Sequence, residues 1–294
     1  MTAVAETLTG VPIPPLDPGS AEWMRHLSAS KIAAVVGLSP YESRYSLWHR
    51  MAGRLPDVDT KPHLARGHYL EAGVAAWFAD QHPDWNLRPG GCWAHPQQPL
   101  FTASPDREAV TADGEIVGVE LKTAADNDEW GQPGTDEIPP GYAAQVQWQM
   151  YVRGTRRTHV AMLSCYLEFR EYVVDYDPDD VAFLATEAEG FLASLPGGPA
   201  ERRPSIDDHD ATYDAVRQLH PLIEHRDVEV PTDVALRYLA AVPAEKDAAR
   251  ELTGAKAALL DAMGTARRAL LADAPIARRQ PGKGDAVSLY FVKA

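Results

Sequence analysis

The chain has few cysteines and no compact metal-binding motif, which narrows the redox and metal chemistry available to it. Its 294 residues include two cysteines, Cys92 and Cys165, which lie far apart in the sequence. Two thiols cannot supply a four-cysteine iron–sulfur cluster, and their scarcity favours a reducing, cytoplasmic setting. Ten histidines are present. No close pairing such as Cys-x-x-Cys accompanies them, so the sequence does not predict a zinc site.

Long apolar runs are also missing. No stretch of about 18 apolar residues occurs, so we expect no membrane span and no membrane partner. Residues 1–20 lack a basic segment followed by an apolar one, so we do not expect a secretory signal there. Hydrophobic residues nevertheless make up 45% of the chain. This content and length suit one large domain, alone or with an appendage.

Basic residues are outnumbered, and the formal net charge is −14. Taken alone, this charge argues against a nucleic-acid partner, because phosphate binding needs lysine and arginine. The acidic residues are unevenly distributed, however. Between Glu22 and Glu71, seven basic residues outnumber five acidic ones. The sequence therefore still allows a locally basic face on an acidic protein.

Apolar periodicity predicts an α/β (α+β) fold. Three helical segments precede a hairpin of two strands, over residues 99–110 and 115–124, and a helix, two strands and a further helix follow. This order predicts a mixed sheet flanked by helices. We expect a flexible arm over 1–20, a core over 21–200, and a mostly helical extension over 205–294. In the extension, Pro243 and Gly254 are expected to break the helix, and a short strand ends the chain.

Three charged residues surround an apolar hairpin, where charge is costly to bury. Side chains alternate along a strand, so Glu120 and Lys122 share one face. Asp113-Gly114 is the turn signal. A two-residue turn would place Asp106 opposite Leu121, whereas a glycine bulge would place it opposite Glu120. In both registers the two carboxylates come close together.

Two neighbouring carboxylates in an apolar setting favour a divalent cation. Each is expensive to bury, and together they repel. Carboxylate oxygens with a backbone carbonyl, here that of Leu121, and water form a ligand set that Mg²⁺ or Mn²⁺ prefers. Lys122 could then assist an attacking water and offset phosphate charge. The alternative is a surface hairpin whose charges are solvated.

Five segments follow one another in a fixed order: SASKIAAVVGLSPYESRYSLWHRMAG, RGHYLE, SPDR, VELK and YAAQVQWQMYV. Together they resemble the PD-(D/E)xK nuclease superfamily, and more narrowly the YqaJ-like viral recombinase family related to the exonuclease of phage lambda. The resemblance covers about residues 25 to 176. It implies a restriction-endonuclease-like core and metal-dependent hydrolysis of DNA phosphodiesters.

The resemblance also assigns roles to residues of the site. It makes Asp106 and Glu120 metal ligands and Lys122 the catalytic lysine. Glu71, in RGHYLE, matches the helix carboxylate that completes the acidic site. Gln145 matches the polar residue behind the site. Outside the family, Glu71 would be interpreted as a helix-edge surface residue and Gln145 as part of a solvated helix face.

Residues near the N-terminus are candidates for gripping a 5′-phosphate, as the resemblance implies. Ser30 matches the serine position, Ser28 is a second donor, and Arg25 is the candidate arginine. Ser104 is a further candidate for phosphate contact. The structural alternative for Ser28 and Ser30 is a helix N-cap, and both roles can coexist.

The predicted function is a 5′-to-3′ exonuclease that acts on linear duplex ends and leaves 3′ single strands for phage-type recombination. By analogy, we expect a homo-oligomer, a trimer, with a single-strand annealing protein as partner, in the host cytoplasm if the chain is phage-encoded. Two alternatives stay open. One is a RecB-like repair nuclease or endonuclease, and the other is a catalytically dead DNA-binding module.

Overall fold

The computed structural model describes residues 10–56, 62–125, 129–282 and 286–292, with the side chains of residues 62–66 outside this description. The chain divides into two compact units, one ending at Leu222 and the other beginning at Ile223. The predicted boundary lay near residues 200–205. The first unit extends past it because helix Asp210–Leu219 packs onto helix Arg44–Met51, where Thr212 Oγ1 donates to Ser43 Oγ at 2.6 Å.

The first unit is a mixed α/β structure, as the periodicity predicted. Its helices and strands occur in runs along the chain. The strands are β1 (Val11–Ile13), β2 (Leu27–Ser28), β3 (Asn86–Pro89), β4 (Cys92–Ala94), β5 (Phe101–Ala103), β6 (Arg107–Val110), β7 (Ile116–Thr123), β8 (Arg157–Leu163) and β9 (Phe169–Asp175). The helices are α1 (Ala21–Arg25), α2 (Ala29–Val35), α3 (Arg44–Met51), α4 (Pro62–Gln81), α5 (Pro140–Arg153), α6 (Pro178–Ser194) and α7 (Asp210–Leu219).

The central sheet is mixed and lies between helices α4 and α5. Its strand order is β3-β6-β7-β8-β9, with β7 and β8 parallel and the other pairs antiparallel. On β7, Val119 and Leu121 belong to one core cluster with Phe78 of α4. The Glu120 side chain, which lies between them in the sequence, faces α5. Alternation along β7 therefore separates an apolar face from a polar one.

A second sheet has the order β1-β4-β5-β2, with β2 and β5 parallel. The sequence predicted one strand from residue 99 to 110. The structure divides it into β5 in this sheet and β6 in the central sheet, with Pro105-Asp106 at the junction. A Cβ on Gly90 would lie 2.0 Å from the Pro105 carbonyl oxygen, so glycine permits this close crossing. The change of sheet leaves Asp106 outside both ladders, beside β7.

The N-terminal segment is less irregular than expected. Residues 1–9 of the predicted arm lie outside the described residues. Val11–Ile13 forms β1, which pairs with β4. Gly10 donates its N–H to the Arg153 carbonyl at 3.0 Å, where a Cβ would collide with backbone. The part of the arm that the structure describes is thus attached to the core.

The second unit differs from the predicted extension in two respects. Helix α8 (Thr232–Met263) continues through Pro243 and Gly254, so the two expected breaks are wrong. Proline removes one backbone hydrogen bond from the helix, and the strong helix preference of the surrounding alanines compensates for this loss. Instead of a single final strand, β10 (Arg268–Leu271), β11 (Ala274–Pro281) and β12 (Val287–Phe291) form an antiparallel sheet. The turn between β10 and β11 consists of Ala272 and Asp273, both at positive φ. This turn has no glycine, so sequence patterns do not signal it.

Cys92 is buried, Cys165 is exposed, and both are free thiols. None of the helices within the described ranges combines the length and the apolar character that crossing a bilayer would require.

Candidate active site

The register of the charged hairpin is the one that a glycine bulge produces. Arg107 pairs with Val119, and the loop closes where Thr111 and Gly114 (φ +89°) bond across the turn. Continuing this register places Asp106 opposite Glu120. The Asp106 side chain accepts the Leu121 N–H at 2.8 Å and thus occupies the position of the missing ladder partner.

Glu120 is the most enclosed acid of the site, and three donors hold it. Its side chain is 2% exposed. Gln145 Nε2 donates to Oε1 at 2.7 Å, and Gln149 Nε2 donates to Oε2 at 2.8 Å. Lys122 Nζ donates to Oε1 at 2.5 Å and to Gln145 Oε1 at 3.2 Å. Both carboxylate oxygens of Glu120 are therefore fixed in direction.

Helix α5 supplies the two glutamines because they are one turn apart. Residues at i and i+4 lie on one helical face, so Gln145 and Gln149 approach the same carboxylate. Gln147 lies on a different face of α5. Its Nε2 donates to the Asp175 carbonyl at 2.8 Å, and its Oε1 accepts the Asp177 N–H at 3.0 Å. Gln145, which the resemblance placed behind the site, and Gln149 thus both donate to Glu120.

Asp106 holds its proton more tightly than an ordinary aspartate. Burial and the neighbouring Glu120 carboxylate raise its pKa from 3.8 to about 7, against the opposing effects of Lys122 and the Leu121 N–H, while Glu71 adds a further increase. A cation can relieve the repulsion between two neighbouring carboxylates in a partly closed space.

Lys122 carries the compensating positive charge. Burial alone would lower the pKa of Lys122, but Glu120 and Asp106 overcome that effect and raise it above 10.5. The ammonium also lies 4.8 Å from the centre of the Tyr142 ring, and burial raises the pKa of that phenol. Tyr142 was not predicted, because an aromatic residue near the start of a helix carries no specific sequence signal.

Glu71 approaches from α4, on the other side of β7 from α5. Arg107 Nη1 donates to Glu71 Oε1 at 2.8 Å and to the Asp106 carbonyl at 2.6 Å. Arg107 therefore links the helix carboxylate to the backbone of Asp106. Arg107 was not predicted as a site residue, although it lies in SPDR. Its position directly after Asp106 was the sequence feature that could have identified it.

The candidate phosphate residues gather at one edge of the second sheet, except for Arg25. Ser28 Oγ and Ser30 Oγ lie 3.0 Å apart. Ser28 pairs with Thr102 in parallel register, and Ser104 follows the same strand two residues later. Arg25 is exposed in the last turn of α1. Ser28 occupies the N-cap position of α2 without a side-chain cap bond, so its hydroxyl is not used for capping.

The donor set fits a hard divalent cation. Asp106 and Glu120 supply carboxylate oxygens, and the raised pKa of Asp106 reflects its burial first and the neighbouring Glu120 charge second. A strand residue directs its N–H and C=O to the same neighbour. Because the Leu121 N–H points to Asp106, its carbonyl points to the same side. Oxygen ligands of this kind suit Mg²⁺ or Mn²⁺.

Residues 22–156 match the family model of the YqaJ-like viral recombinase domain. Among solved structures, the alkaline exonuclease LHK-Exo from Laribacter hongkongensis is 20% identical, covering 60% of this chain and 93% of that chain with a TM-score of 0.46. LHK-Exo in complex with dAMP is 22% identical, with 62% and 93% covered and a TM-score of 0.48. A phage-related exonuclease from Haemophilus somnus is 11% identical, with 57% and 93% covered and a TM-score of 0.44. No curated protein gives a significant match.

Proposed function

Because residues 22–156 match the family model of the YqaJ-like viral recombinase domain, we propose that the chain is a metal-dependent DNA nuclease that digests linear duplex from its 5′ ends. The observation that carries the proposal is the convergence of Asp106, Glu120 and Lys122 with Gln145 at one point beside β7. This is a charge arrangement that a merely structural hairpin does not need.

Asp106, Glu120 and the Leu121 carbonyl would hold Mg²⁺ or Mn²⁺, with Glu71 contributing directly or through water. Such an ion supplies Lewis-acid charge to the scissile phosphate and lowers the pKa of water. Gln145 and Gln149 keep the Glu120 oxygens oriented. Arg107 fixes Glu71 in the same way. The protein thus contributes a pre-organised set of oxygens.

Lys122 has two roles in the proposed hydrolysis. Its ammonium holds the attacking water in line with the phosphorus, and it offsets the negative charge that builds up on the phosphoryl oxygens. The raised pKa keeps Lys122 protonated at neutral pH, so charge stabilisation is its main contribution. The buried Glu120 beside it maintains this state.

The preference for a 5′ end is assigned to the hydroxyl-rich sheet edge. Ser28, Ser30 and Ser104 offer donors for a terminal phosphate, and Arg25 supplies positive charge nearby in the sequence. Their sharing of one edge, at the ends of parallel strands β2 and β5, supports this assignment. We further propose a homo-oligomer, a trimer by analogy, and an annealing protein that receives the 3′ strand.

Purified protein should be tested on three DNA substrates with and without Mg²⁺. These are 5′-phosphorylated linear duplex, 5′-hydroxyl linear duplex and covalently closed circles. The proposal expects rapid digestion of the first, slower digestion of the second and no cutting of the third. All digestion should stop when the metal is chelated.

Other patterns in this assay would contradict parts of the proposal. Nicking or linearisation of closed circles would indicate an endonuclease. Equal rates on the two linear substrates would remove the 5′-phosphate role of the sheet edge. If no substrate is cut and Mg²⁺ has no effect on thermal melting, the chain is a DNA-binding module without an active site.

A further inference from the structure

A second cluster of metal-binding side chains lies on the opposite face of the central sheet. His82 follows the end of α4, His159 lies on β8 and Glu171 lies on β9. Register pairs His159 with Val119, whose face packs against α4, whereas Glu120 faces α5. The cluster is therefore separate from the proposed nuclease site.

The three side chains meet at short distances. His159 Nδ1 lies 2.6 Å from Glu171 Oε1, and His82 Nε2 lies 3.0 and 2.9 Å from the two Glu171 oxygens. One ligand atom from each residue falls within 4.8 Å of the others. An ion with ligand bonds of about 2.0–2.1 Å needs its tetrahedral ligand atoms roughly 3.4 Å apart, so small side-chain movements suffice.

Aromatic packing fixes the orientation of both imidazoles. The Trp85 ring stacks on His82 with centroids 4.1 Å apart and meets His159 edge-on at 5.0 Å. Phe78 contacts His82 at 4.6 Å. His82 and Glu171 keep 20% of their side chains exposed, so solvent and ions can reach the cluster. The rings are thus held in place with one side open.

Glu171 is suited to act as an anionic ligand. Burial alone would raise its pKa, but hydrogen bonds from His159 and His82 outweigh that effect and lower it. Two imidazoles and a carboxylate form a mixed nitrogen and oxygen set, which favours zinc and similar first-row ions over Mg²⁺. A fourth position would be left to water.

We propose that His82, His159 and Glu171 form a second metal site that takes Zn²⁺ or a similar first-row transition ion. Binding would replace the imidazole protons that now face Glu171. The ion would tie the C-terminal end of α4 to β8 and β9. Because the ion would join three elements of the core, its expected role is structural support, independent of whether the chain is a nuclease.

The test is metal binding to the full chain after removal of metals with a chelator. Excess Mg²⁺ is added first to occupy the carboxylate site, and Zn²⁺ is then titrated while thermal melting is followed. Co²⁺ serves as a spectroscopic substitute. We expect one equivalent of Zn²⁺ to raise the melting temperature, and Co²⁺ to give a visible absorption band typical of nitrogen and oxygen ligands in a four-coordinate site.

Two variants and a control make the assignment specific. His82→Gln and Glu171→Gln should each weaken Zn²⁺ binding by more than about tenfold and remove the melting shift. His220→Gln, at an exposed position, should behave as the wild type. Should the wild type show no Zn²⁺-dependent shift and no Co²⁺ band, or should His82→Gln and Glu171→Gln keep both, the cluster is a hydrogen-bonded structural triad and the proposal is wrong.

Discussion

At the scale of single residues, the site depends on how each charge is compensated. Glu120 is enclosed by Lys122, Gln145 and Gln149, whereas Asp106 accepts a hydrogen bond from the backbone N–H of Leu121. The two neighbouring carboxyls therefore have different surroundings. Because burial and the Glu120 charge raise the pKa of Asp106, a metal bound at Asp106 would displace a proton.

Asp106 should make the metal-free protein less stable as the pH rises. Its folded pKa of about 7 exceeds the ordinary 3.8. Between these values the native state keeps a proton that the unfolded state has lost, so stability falls as pH rises through this window. Asp106→Asn cannot titrate and retains an acceptor for the Leu121 N–H.

In chelator, Asp106→Asn should therefore melt at least about 2 °C above wild type at about pH 8, and close to wild type at about pH 4. Asp113→Asn, in the exposed turn of the same hairpin, serves as the matched control and should show no such gain. A melting temperature of Asp106→Asn that stays below that of wild type at the higher pH would show that the Asp106 charge is not a source of instability.

Gln149 should matter for metal use, whereas Gln147 should matter for stability. Gln149→Leu removes the donor to Glu120 Oε2, so we expect about 10- to 100-fold lower activity at fixed Mg²⁺ and a higher half-saturating Mg²⁺ concentration. Gln147→Leu loses bonds to Asp175 and Asp177, and should lower the melting temperature with unchanged Mg²⁺ dependence. Identical Mg²⁺ curves for the two variants would argue against the role of Gln149.

At the scale of elements, the position of α5 against the sheet determines whether Gln145 and Gln149 reach Glu120. A buried ion pair fixes that position. Arg153, at the end of α5, donates to Glu108 Oε1 of β6 at 2.5 Å, and its guanidinium lies 3.6 Å from the Trp93 ring centre. Glu108 is 2% exposed and also meets Arg88 at 3.1 Å.

Arg153→Met should destabilise the fold by about 3–5 kcal/mol, because it leaves the buried Glu108 charge with one partner. Adding Glu108→Gln should recover part of the loss, since the uncompensated charge is then removed. Denaturant unfolding of both variants measures this difference. If the double variant is no more stable than Arg153→Met, the cost arises from lost packing on Trp93 instead.

The elements also show what the sequence could and could not reveal. Alternation on β7 and the Asp113-Gly114 turn were enough to place Asp106 beside Glu120, because hairpin register depends on local residues. The division of residues 99–110 between two sheets was not visible, since it depends on the close crossing at Gly90 and Pro105. The Ala272-Asp273 turn was missed because it lacks glycine.

At the scale of the whole molecule, contacts between distant segments were beyond prediction. His82, His159 and Glu171 share no sequence spacing; the pairing of β8 with β9 and the packing of α4 on the sheet bring them together. Helix α8 in the second unit exposes many apolar side chains, including those of Leu236, Tyr238 and Leu239. A large exposed apolar surface is typical of an interaction site.

We therefore expect the 32.1-kDa chain to form an oligomer in solution. The proposed trimer predicts a native mass about three times that of the chain in light scattering coupled to gel filtration. Leu236→Glu and Leu239→Glu together should reduce that mass if α8 takes part in assembly. A monomer at every concentration tested would contradict the proposal.

The central claim is that Asp106, Glu120 and Lys122 form a metal-dependent site that cuts DNA. Its most direct test is the rate at which Glu120→Gln releases nucleotides from 5′-phosphorylated linear duplex in Mg²⁺, with Glu115→Gln as an exposed control on the same hairpin. The account predicts a loss of about 10²-fold or more for Glu120→Gln and wild-type rates for Glu115→Gln. Digestion by Glu120→Gln at the wild-type rate would contradict it.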